Sequence, residues 1–362
     1  MRRHIHSRRR GATLVEVLVA IFLMGIGMLA LLTLFPIGVL RMEQALRDDR
    51  HTLASINATA TATIQSVRTD AKLRDTTDPT KWLFEIGPNG WANPSPHGPS
   101  FPVFMDPLGF QNAVAASPNQ KFLAYDSTLK SSVYRVPTSF TLSNRSILQW
   151  FAINDEIIFE TDDPPSAGAP TAALPKLNSG SQFDRNTRVS WAYMLQRPMT
   201  SDASLVNMSV VVYADRPTGF SRQFTPAENL YQASFDTNTN KVTLTYAAPT
   251  AVPPGVVPNL RSGDWILDCS VEQAIDPANG AAYSIPHANF YRVVSSTELS
   301  STQTIVEIQT PIRGFNRNVA GPYSGQIAVM EGVAEVFGKA WDDCHDANHS
   351  SENLGSRRVH PY

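Results

Sequence analysis

The sequence predicts an α+β protein, with one long N-terminal helix followed by a mainly antiparallel β head. A long uncharged apolar run lies within the first forty residues, and helical periodicity continues behind it. The rest of the chain alternates apolar and polar residues in short stretches and is rich in proline, with 26 against 20 glycines. No helical patterns of the kind that connect parallel strands separate these stretches, so we expect antiparallel pairing.

Composition excludes two classes of protein. Of the 362 residues, 42% are hydrophobic and 17% are charged, and the net charge is -2. These values exclude a charge-driven disordered chain and a basic nucleic-acid-binding protein. The charge is unevenly placed, because residues 1–11 hold five arginines and no acid, and 25 basic against 32 acidic residues remain without them. The basic end is therefore a separate feature of the chain.

The apolar run predicts a membrane span. Residues 17–40 are 24 residues without a charge, about 36 Å of helix against a hydrocarbon core of about 30 Å. The preceding arginines place the N-terminus in the cytoplasm and the body across the membrane. A cleaved secretory signal has a shorter apolar region and a small-residue cleavage site. A plain signal anchor, which needs only charges followed by apolar residues, is the stronger alternative.

Glu16 is not explained by a plain anchor, since a carboxylate at the edge of an apolar span is costly unless it is paired. With Gly11 it belongs to the stretch RRRGATLVEVLVAIFLMGIGMLALL. This stretch resembles the prepilin N-terminus of type IV pilins and type II secretion pseudopilins, and it is most similar to minor subunits. The family pattern is a basic leader, a glycine, a short apolar stretch and then glutamate. The family usually has Phe or Met where this chain has Ala12.

The resemblance implies how the chain is processed and where it acts. A prepilin peptidase would cut between Gly11 and Ala12, Ala12 would be N-methylated, and Glu16 would neutralise the Ala12 amine of a neighbouring subunit during assembly. The implied partners are the peptidase, other pilin or pseudopilin subunits, an inner-membrane assembly platform and membrane lipid. The implied location is the bacterial inner membrane, single-pass with a periplasmic body, or an extracytoplasmic filament. The alternative for Glu16 is that it stabilises the helix N-terminus through the helix dipole.

Five segments follow from these patterns. They are a basic leader 1–11, a helix 12–72 with its membrane span at 14–40, a β-rich head 73–341, a second β subdomain within 251–341 and a flexible tail 342–362. Behind the span, an apolar stripe at helical spacing is expected to be the core face of the helix. It consists of Met42, Leu46, Leu53, Ile56, Ala60, Ile64 and Val67.

Strands are predicted wherever apolar residues alternate with polar ones. The clearest alternations run through Val189–Gln196, through 206–212 and through 242–246. Further strands are predicted at 147–153, 156–160, 265–267, 290–295, 304–309, 327–330 and 333–337. Residues 73–130 show little periodicity and are predicted to be mostly loops.

The sequence offers no catalytic motif. It contains no phosphate-binding loop, zinc-binding helix or nucleophile elbow, and its eight histidines are scattered. We therefore expect no enzyme activity, no cofactor, no metal site and no nucleic-acid partner. The acids between 155 and 163 lack the spacing of a known calcium loop, and the Asp, Cys and His residues at 342–349 lie in a terminal segment without a second ligand cluster. Cys269 and Cys344 can form one disulfide outside the cytoplasm, and two thiols are the alternative.

Three functional hypotheses remain open. The first is a structural pilin-like or pseudopilin-like subunit of a type IV pilus or type II secretion filament. The second is an enzyme or binding domain tethered by a plain signal anchor, which would need neither Gly11 nor Glu16. The third keeps the pilin helix and gives the large head a ligand of its own, as in a tip adhesin.

Overall fold

A computed structural model of the chain confirms the α+β class. The chain divides into two units, residues 1–52 and residues 53–362. One 51-residue helix, α1 (Leu14–Ile64), begins in the first unit and ends in the second, and a mostly antiparallel β body follows. The structure describes residues 13–75, 77–88, 91–106, 132–139, 150–153, 157–159, 183–185, 189–214, 228–236, 239–248, 257–275, 280–312, 323–330 and 332–342.

Helix α1 ends before the predicted residue 72. Ser66 takes a left-handed conformation with φ of 49°, and that conformation terminates an α-helix. Two short 3₁₀ helices follow, Val67–Thr69 and Ala71–Leu73. Asp70 joins them, since its Oδ1 accepts a hydrogen bond from the Lys72 N–H at 2.8 Å. The apolar spacing continues through these turns, so it does not reveal the end of the α-helix.

The second unit contains a further 3₁₀ helix, Leu83–Glu85, and fifteen strands within the described residues. In chain order they are β1 Val103–Met105, β2 Tyr134–Val136, β3 Ile157–Phe159, β4 Phe183–Arg185, β5 Val189–Gln196, β6 Leu205–Ala214, β7 Glu228–Asp236, β8 Lys241–Thr245, β9 Trp265–Asp268, β10 Val271–Ile275, β11 Ala282–Pro286, β12 Asn289–Ser300, β13 Gln303–Ile308, β14 Tyr323–Met330 and β15 Val333–Asp342.

Two large β structures are built from these strands. A five-stranded sheet has the order β15-β6-β5-β1-β2, and a closed six-stranded barrel has the order β12-β13-β8-β7-β14-β9. Two small pairs, β3-β4 and β10-β11, complete the described strands. Every pair of these strands is antiparallel except β1-β2.

The barrel and the sheet are joined at a tight turn. Strand β14 ends in the barrel at Met330, and β15 begins in the sheet at Val333. Gly332 between them has φ of +79°, a conformation that costs glycine little. Its carbonyl accepts a hydrogen bond from the Ala214 N–H at 2.8 Å, which places the start of β15 beside β6.

The sheet is covered on both faces, and this explains why β5 is buried along nearly its whole length. One face, with Trp191 and Tyr193, packs with the buried residues of α1. The other, with Ala192 and Met194, packs against barrel residues that include Leu267. The barrel has its own apolar core, formed by Tyr231, Phe235, Val242, Leu244, Ile266, Tyr291, Val293, Val306, Ile308, Ile327 and Val329, among others.

The prediction of which residues form the core face of the helix is wrong. Of the predicted stripe, only Val67, which lies beyond α1, is buried, whereas Met42, Leu46, Leu53, Ile56, Ala60 and Ile64 are exposed. The buried residues of α1 are small: Ala54, Ser55, Ala58, Thr61 and Ala62. They lie on the opposite side of the helix, where the aromatic side chains of β5 fill the space and leave room only for short side chains.

The strand predictions have mixed outcomes. Strands are present at most predicted places, including the three clearest alternations, although Tyr246 lies just beyond the end of β8. The prediction at 147–153 is wrong for its described part. Trp150 and Phe151 are helical there and Ala152 makes an isolated bridge to Ser190. A short apolar run does not distinguish a strand from a buried helical turn.

The predicted subdomain at 251–341 stays a prediction. Strands β9, β12, β13 and β14 lie in the barrel, but β7 and β8, before residue 251, complete it. Strand β15 lies within the predicted range except for Asp342, and it belongs to the five-stranded sheet. The tail predicted at 342–362 lies outside the described residues except for Asp342, the last residue of β15.

Candidate functional site: the N-terminal helix

The N-terminus of α1 is capped by a threonine. Leu14 is the first helical residue, so Thr13 occupies the N-cap position and Glu16 is the third residue of the helix. The Glu16 N–H donates a hydrogen bond to Thr13 Oγ1 at 3.3 Å, and the Val17 N–H donates to the Thr13 carbonyl at 3.2 Å. This is the threonine half of a capping box, whose sequence form is Thr-x-x-Glu. The local sequence therefore sets where the helix begins.

Glu16 is an exposed carboxylate in an apolar surface. From Thr13 to Leu40 it is the sole charged residue, and every residue from Thr13 to Arg50 is exposed. In the first turn its charge is favoured by the helix dipole, which explains why it is compatible with the helix. The dipole does not supply the counter-charge that a carboxylate needs in an apolar surrounding. The charge of Glu16 therefore favours the start of the helix, and its carboxylate requires a counter-charge wherever its surroundings are apolar.

Gly11 and Ala12, the predicted cleavage and methylation positions, lie outside the described residues. The structure places Glu16 on the helix that starts two residues after Ala12. The separation of Gly11, Ala12 and Glu16 is therefore known along the sequence only. Among the described residues, α1 is the one helix long and apolar enough to cross a membrane. Its first half offers a surface of large apolar side chains and one carboxylate.

The second part of α1 is held on the sheet by a hydrogen bond as well as by packing. The Tyr193 hydroxyl donates to the Ala58 carbonyl at 2.8 Å and accepts from Trp191 Nε1 at 3.0 Å. Burial raises the pKa of Tyr193 well above its usual range, so the hydroxyl stays a donor at physiological pH. Leu53, Ile56 and Ile64, on the other side of the helix, remain exposed.

A buried polar cluster in the barrel was missed by sequence reasoning. Asp268 Oδ2 lies 3.0 Å from His287 Nδ1 and accepts a hydrogen bond from the Tyr323 hydroxyl at 3.2 Å, while Asp268 Oδ1 accepts from the Ser270 N–H at 3.0 Å. Burial, with the nearby Asp268 charge, raises the pKa of Tyr323. These residues are spread over the sequence without a motif, so no sequence signal could have grouped them. The contacts connect the barrel strands to the residue that follows β11.

No metal centre is found within the described part of the chain, where no group of three or more His, Cys, Asp or Glu residues could hold an ion. The acids at 155, 156, 160, 162 and 163 and the tail residues 343–349 lie outside it. Cys269 is buried, with its Sγ 3.6 Å from the Leu267 carbonyl oxygen. Cys344 is not among the described residues, so the disulfide stays a prediction.

The chain thus begins with a long apolar helix whose capped first turn carries a single carboxylate, and a mostly antiparallel body follows; together with an N-terminal motif, these features support a type IV pilin-like or pseudopilin-like protein. The family model described as the prokaryotic N-terminal methylation motif matches residues 6–32, which contain Gly11, Ala12 and Glu16. This motif implies processing by a peptidase and assembly with other pilin subunits, and with the apolar helix it supports membrane anchoring. No curated protein and no solved structure matches the chain.

Proposed function

We propose that the protein is a minor, non-enzymatic subunit of a type IV pilus or type II secretion filament. A prepilin peptidase cuts it after Gly11, Ala12 is N-methylated, and α1 anchors it in the inner membrane with its body in the periplasm until it joins the filament. The single observation that carries this proposal is Glu16, an exposed carboxylate in the first turn of an apolar helix and five residues after Gly11. A plain anchor uses neither residue.

The charge of Glu16 supports a role in assembly. After cleavage, Ala12 would carry a new α-amino group, a cation in a segment that is otherwise apolar. Two opposite charges in an apolar helix bundle are costly when separate and much less costly when paired. Pairing between neighbouring subunits would therefore favour one axial register of the helices.

The exposed apolar side chains of α1 support the same proposal. Large apolar residues cover α1 from Leu14 to Leu46, and Leu53, Ile56 and Ile64 continue on the side away from the sheet. Contiguous exposed apolar surface of this kind marks a membrane or protein contact. Lipid would cover the first part before assembly, and the helices of neighbouring subunits would cover it afterwards.

N-terminal sequencing of the mature protein tests the proposal. The full chain is expressed with a prepilin peptidase, extracted from membranes and analysed by mass spectrometry of its N-terminal peptide. We expect the mature chain to begin with N-methylated Ala12. Retention of Met1 in the presence of active peptidase would favour the plain anchor.

Gly11→Ser is expected to abolish processing and leave membrane insertion intact. A residue without a side chain lets the backbone approach a protease closely, and any larger residue obstructs that approach. The arginines and the apolar span that direct insertion are unchanged. The size of the membrane-extracted protein on a gel reports the result, and normal shortening would contradict it. Gly25→Ser is the matched control, since a Cβ at Gly25 meets no atom within 4 Å.

Glu16→Ala is expected to leave the protein cleaved, membrane-bound and folded, and to reduce its incorporation beside other pilin subunits several-fold. The change removes the counter-charge of the Ala12 amine without changing the apolar span. Disulfide cross-linking through a cysteine placed at the exposed Leu46 reports incorporation, with the chain lacking this cysteine as baseline. Glu43→Ala is the control, because Glu43 is an exposed acid of the same helix.

Glu16→Gln separates the ion pair from the helix cap. Glutamine can occupy the capping-box position but carries no charge. The ion-pair role predicts that Gln is as defective as Ala. If Glu16 acts only through the cap, Gln assembles normally, and Thr13→Ala, which removes the observed cap hydrogen bond, is as defective as Glu16→Ala. A fall in protein level with either Glu16 variant would indicate a folding or insertion defect.

A further inference from the structure

A cleft of about 330 Å³ lies on the outer surface of the barrel. Its floor is formed by strands β7, β8 and β14, and Trp91 and Val271 also line it. The polar residues that line it are Gln232, Ser234, Thr245, Ser324 and Gln326. Its volume is at the small end of the range of known ligand pockets.

The floor is a regular array of uncharged polar side chains. Gln232 on β7 is paired with Gln326 on β14 and with Thr245 on β8, which makes one row across three strands. Ser234 is paired with Ser324 and Thr243 in the next row. Successive side chains of a strand point to opposite faces, so these rows lie outside the barrel while Tyr231 and Phe235 pack in its core.

The chemistry of the lining favours an uncharged ligand rich in hydroxyl groups. No ionisable side chain lines the cleft among the residues that the structure describes. Charged side chains follow one row beyond Ser234, where Lys241 is paired with Asp236 and with Glu307 of β13. Amide and hydroxyl side chains both donate and accept hydrogen bonds, as sugar hydroxyls do. Trp91 adds an aromatic surface on which the apolar face of a sugar ring can pack.

A peptide is less suited to this surface. Strand β7 has neighbours on both sides, β8 and β14, and the barrel is closed. Its backbone groups are therefore used within the barrel, and an added peptide strand would find no free edge there. Recognition has to come from side chains alone, which suits a ring carrying several hydroxyls.

The cleft is preformed, and it contains a polar atom that lacks a partner. The Gln326 N–H donates to Ser270 Oγ at 3.0 Å, and a Cβ at Gly325 would lie 1.9 Å from the same Oγ, so β14 is held tightly against Ser270. Gln326 Oε1 is buried and has no hydrogen-bond partner within the described structure. A terminal amide rotates readily, so a ligand hydroxyl could satisfy this oxygen.

We propose that this cleft, formed by Trp91 and the rows of Gln232, Gln326 and Thr245 and of Ser234 and Ser324, binds a neutral saccharide. The saccharide is a free oligosaccharide or a sugar of a surface glycan, and both present the same hydroxyl chemistry. The site goes beyond filament assembly and does not depend on it, because every residue of the cleft belongs to the second unit.

The test uses the full chain in phosphatidylcholine nanodiscs, because sugar-headgroup detergents would compete. The probes are immobilised neutral glycans, the same glycans with sialic acid or sulfate, and free neutral oligosaccharides followed by tryptophan fluorescence and calorimetry. We expect saturable binding of at least one neutral saccharide, weakened tenfold or more by Gln232→Ala and by Trp91→Phe. Gln273→Ala, an exposed glutamine of β10 outside the cleft, should bind as the parent does.

The outcomes distinguish a free oligosaccharide from a surface glycan, and a neutral saccharide from other classes of ligand. Competition of the glycan signal by the free oligosaccharide shows that the shared sugar is recognised, and binding of immobilised glycan alone assigns the site to surface glycans. Absence of neutral-glycan binding, preference for charged glycans or peptides, or equal binding by Gln232→Ala would overturn the proposal. Trp91→Phe could lower the melting temperature, and Ser324→Ala then serves as a second variant. Gln232 and Ser324 are exposed, so alanine at either position should keep the fold.

Discussion

Asp106→Asn is expected to destabilise the second unit by about 3–5 kcal/mol, because it removes one charge of a buried ion pair with Arg135. Arg135 Nη2 and Asp106 Oδ2 are 2.6 Å apart, with the two side chains 5% and 0% exposed. The pair connects the end of β1 to β2, the sole parallel pair among the described strands. Urea unfolding of the full chain, followed by tryptophan fluorescence, measures the loss.

Two variants make this prediction specific. Asp78→Asn alters an exposed pair with Lys81, whose charged atoms are 3.6 Å apart, and should change stability far less, because solvent screens exposed charges. The double variant Asp106→Leu with Arg135→Met removes both charges and should recover much of the loss, because a buried pair can be replaced by apolar residues of similar size. A loss for Asp106→Asn no larger than that for Asp78→Asn would contradict the role assigned to the buried pair.

Ala58→Leu is expected to lower the free energy of unfolding by about 1–3 kcal/mol or more. Ala58 is completely buried between the helix and the sheet, and its carbonyl accepts the Tyr193 hydrogen bond. Leucine adds three carbon atoms where no space exists, so the helix must move away from β5 and weaken that hydrogen bond. The same urea titration measures the effect.

Ala60→Leu is the matched control, since it makes the same chemical change two residues further along on the exposed side of the helix. Alanine and leucine differ little in helix propensity. Ala60→Leu should therefore leave stability nearly unchanged, and equal losses for the two variants would show that α1 does not dock through its small residues. Ala60→Leu also enlarges the exposed apolar surface, so it is a useful probe of packing between subunits.

The choice of helix face shows where sequence reasoning reaches its limit. Periodicity correctly indicated that α1 has two different sides, but it favoured the side with Leu53, Ile56 and Ile64 as the core face. The side with Ala54, Ala58 and Ala62 is buried instead. The partner surface is formed by Trp191 and Tyr193, and Tyr193 lies 135 residues from Ala58 in the chain. Large side chains on the sheet require small ones on the helix, and this complementarity is not contained in the helix sequence.

The barrel cluster and the cleft were also beyond sequence reasoning. Asp268, His287 and Tyr323 come from three separate segments and meet only because β9 pairs with both β12 and β14. In the sequence, the cleft residues Gln232, Thr245 and Gln326 are polar positions far apart in the chain, and only the strand register aligns them. Alternation indicates which face of a strand is polar, but the neighbours across a sheet depend on pairing.

The sequence by itself determined the N-terminal part of this protein: the basic N-terminal stretch, the uncharged span and the spacing of Gly11 and Glu16. It also determined the antiparallel character of the body. The N-terminal pattern and the alternation of apolar and polar residues with short connections both depend on residues that are close in the chain. The tertiary structure alone decided which side of α1 is buried, how the six strands close into a barrel and which polar side chains share a cleft. The physical reason is that packing and strand register are set by contacts between distant segments, whose shapes must fit each other.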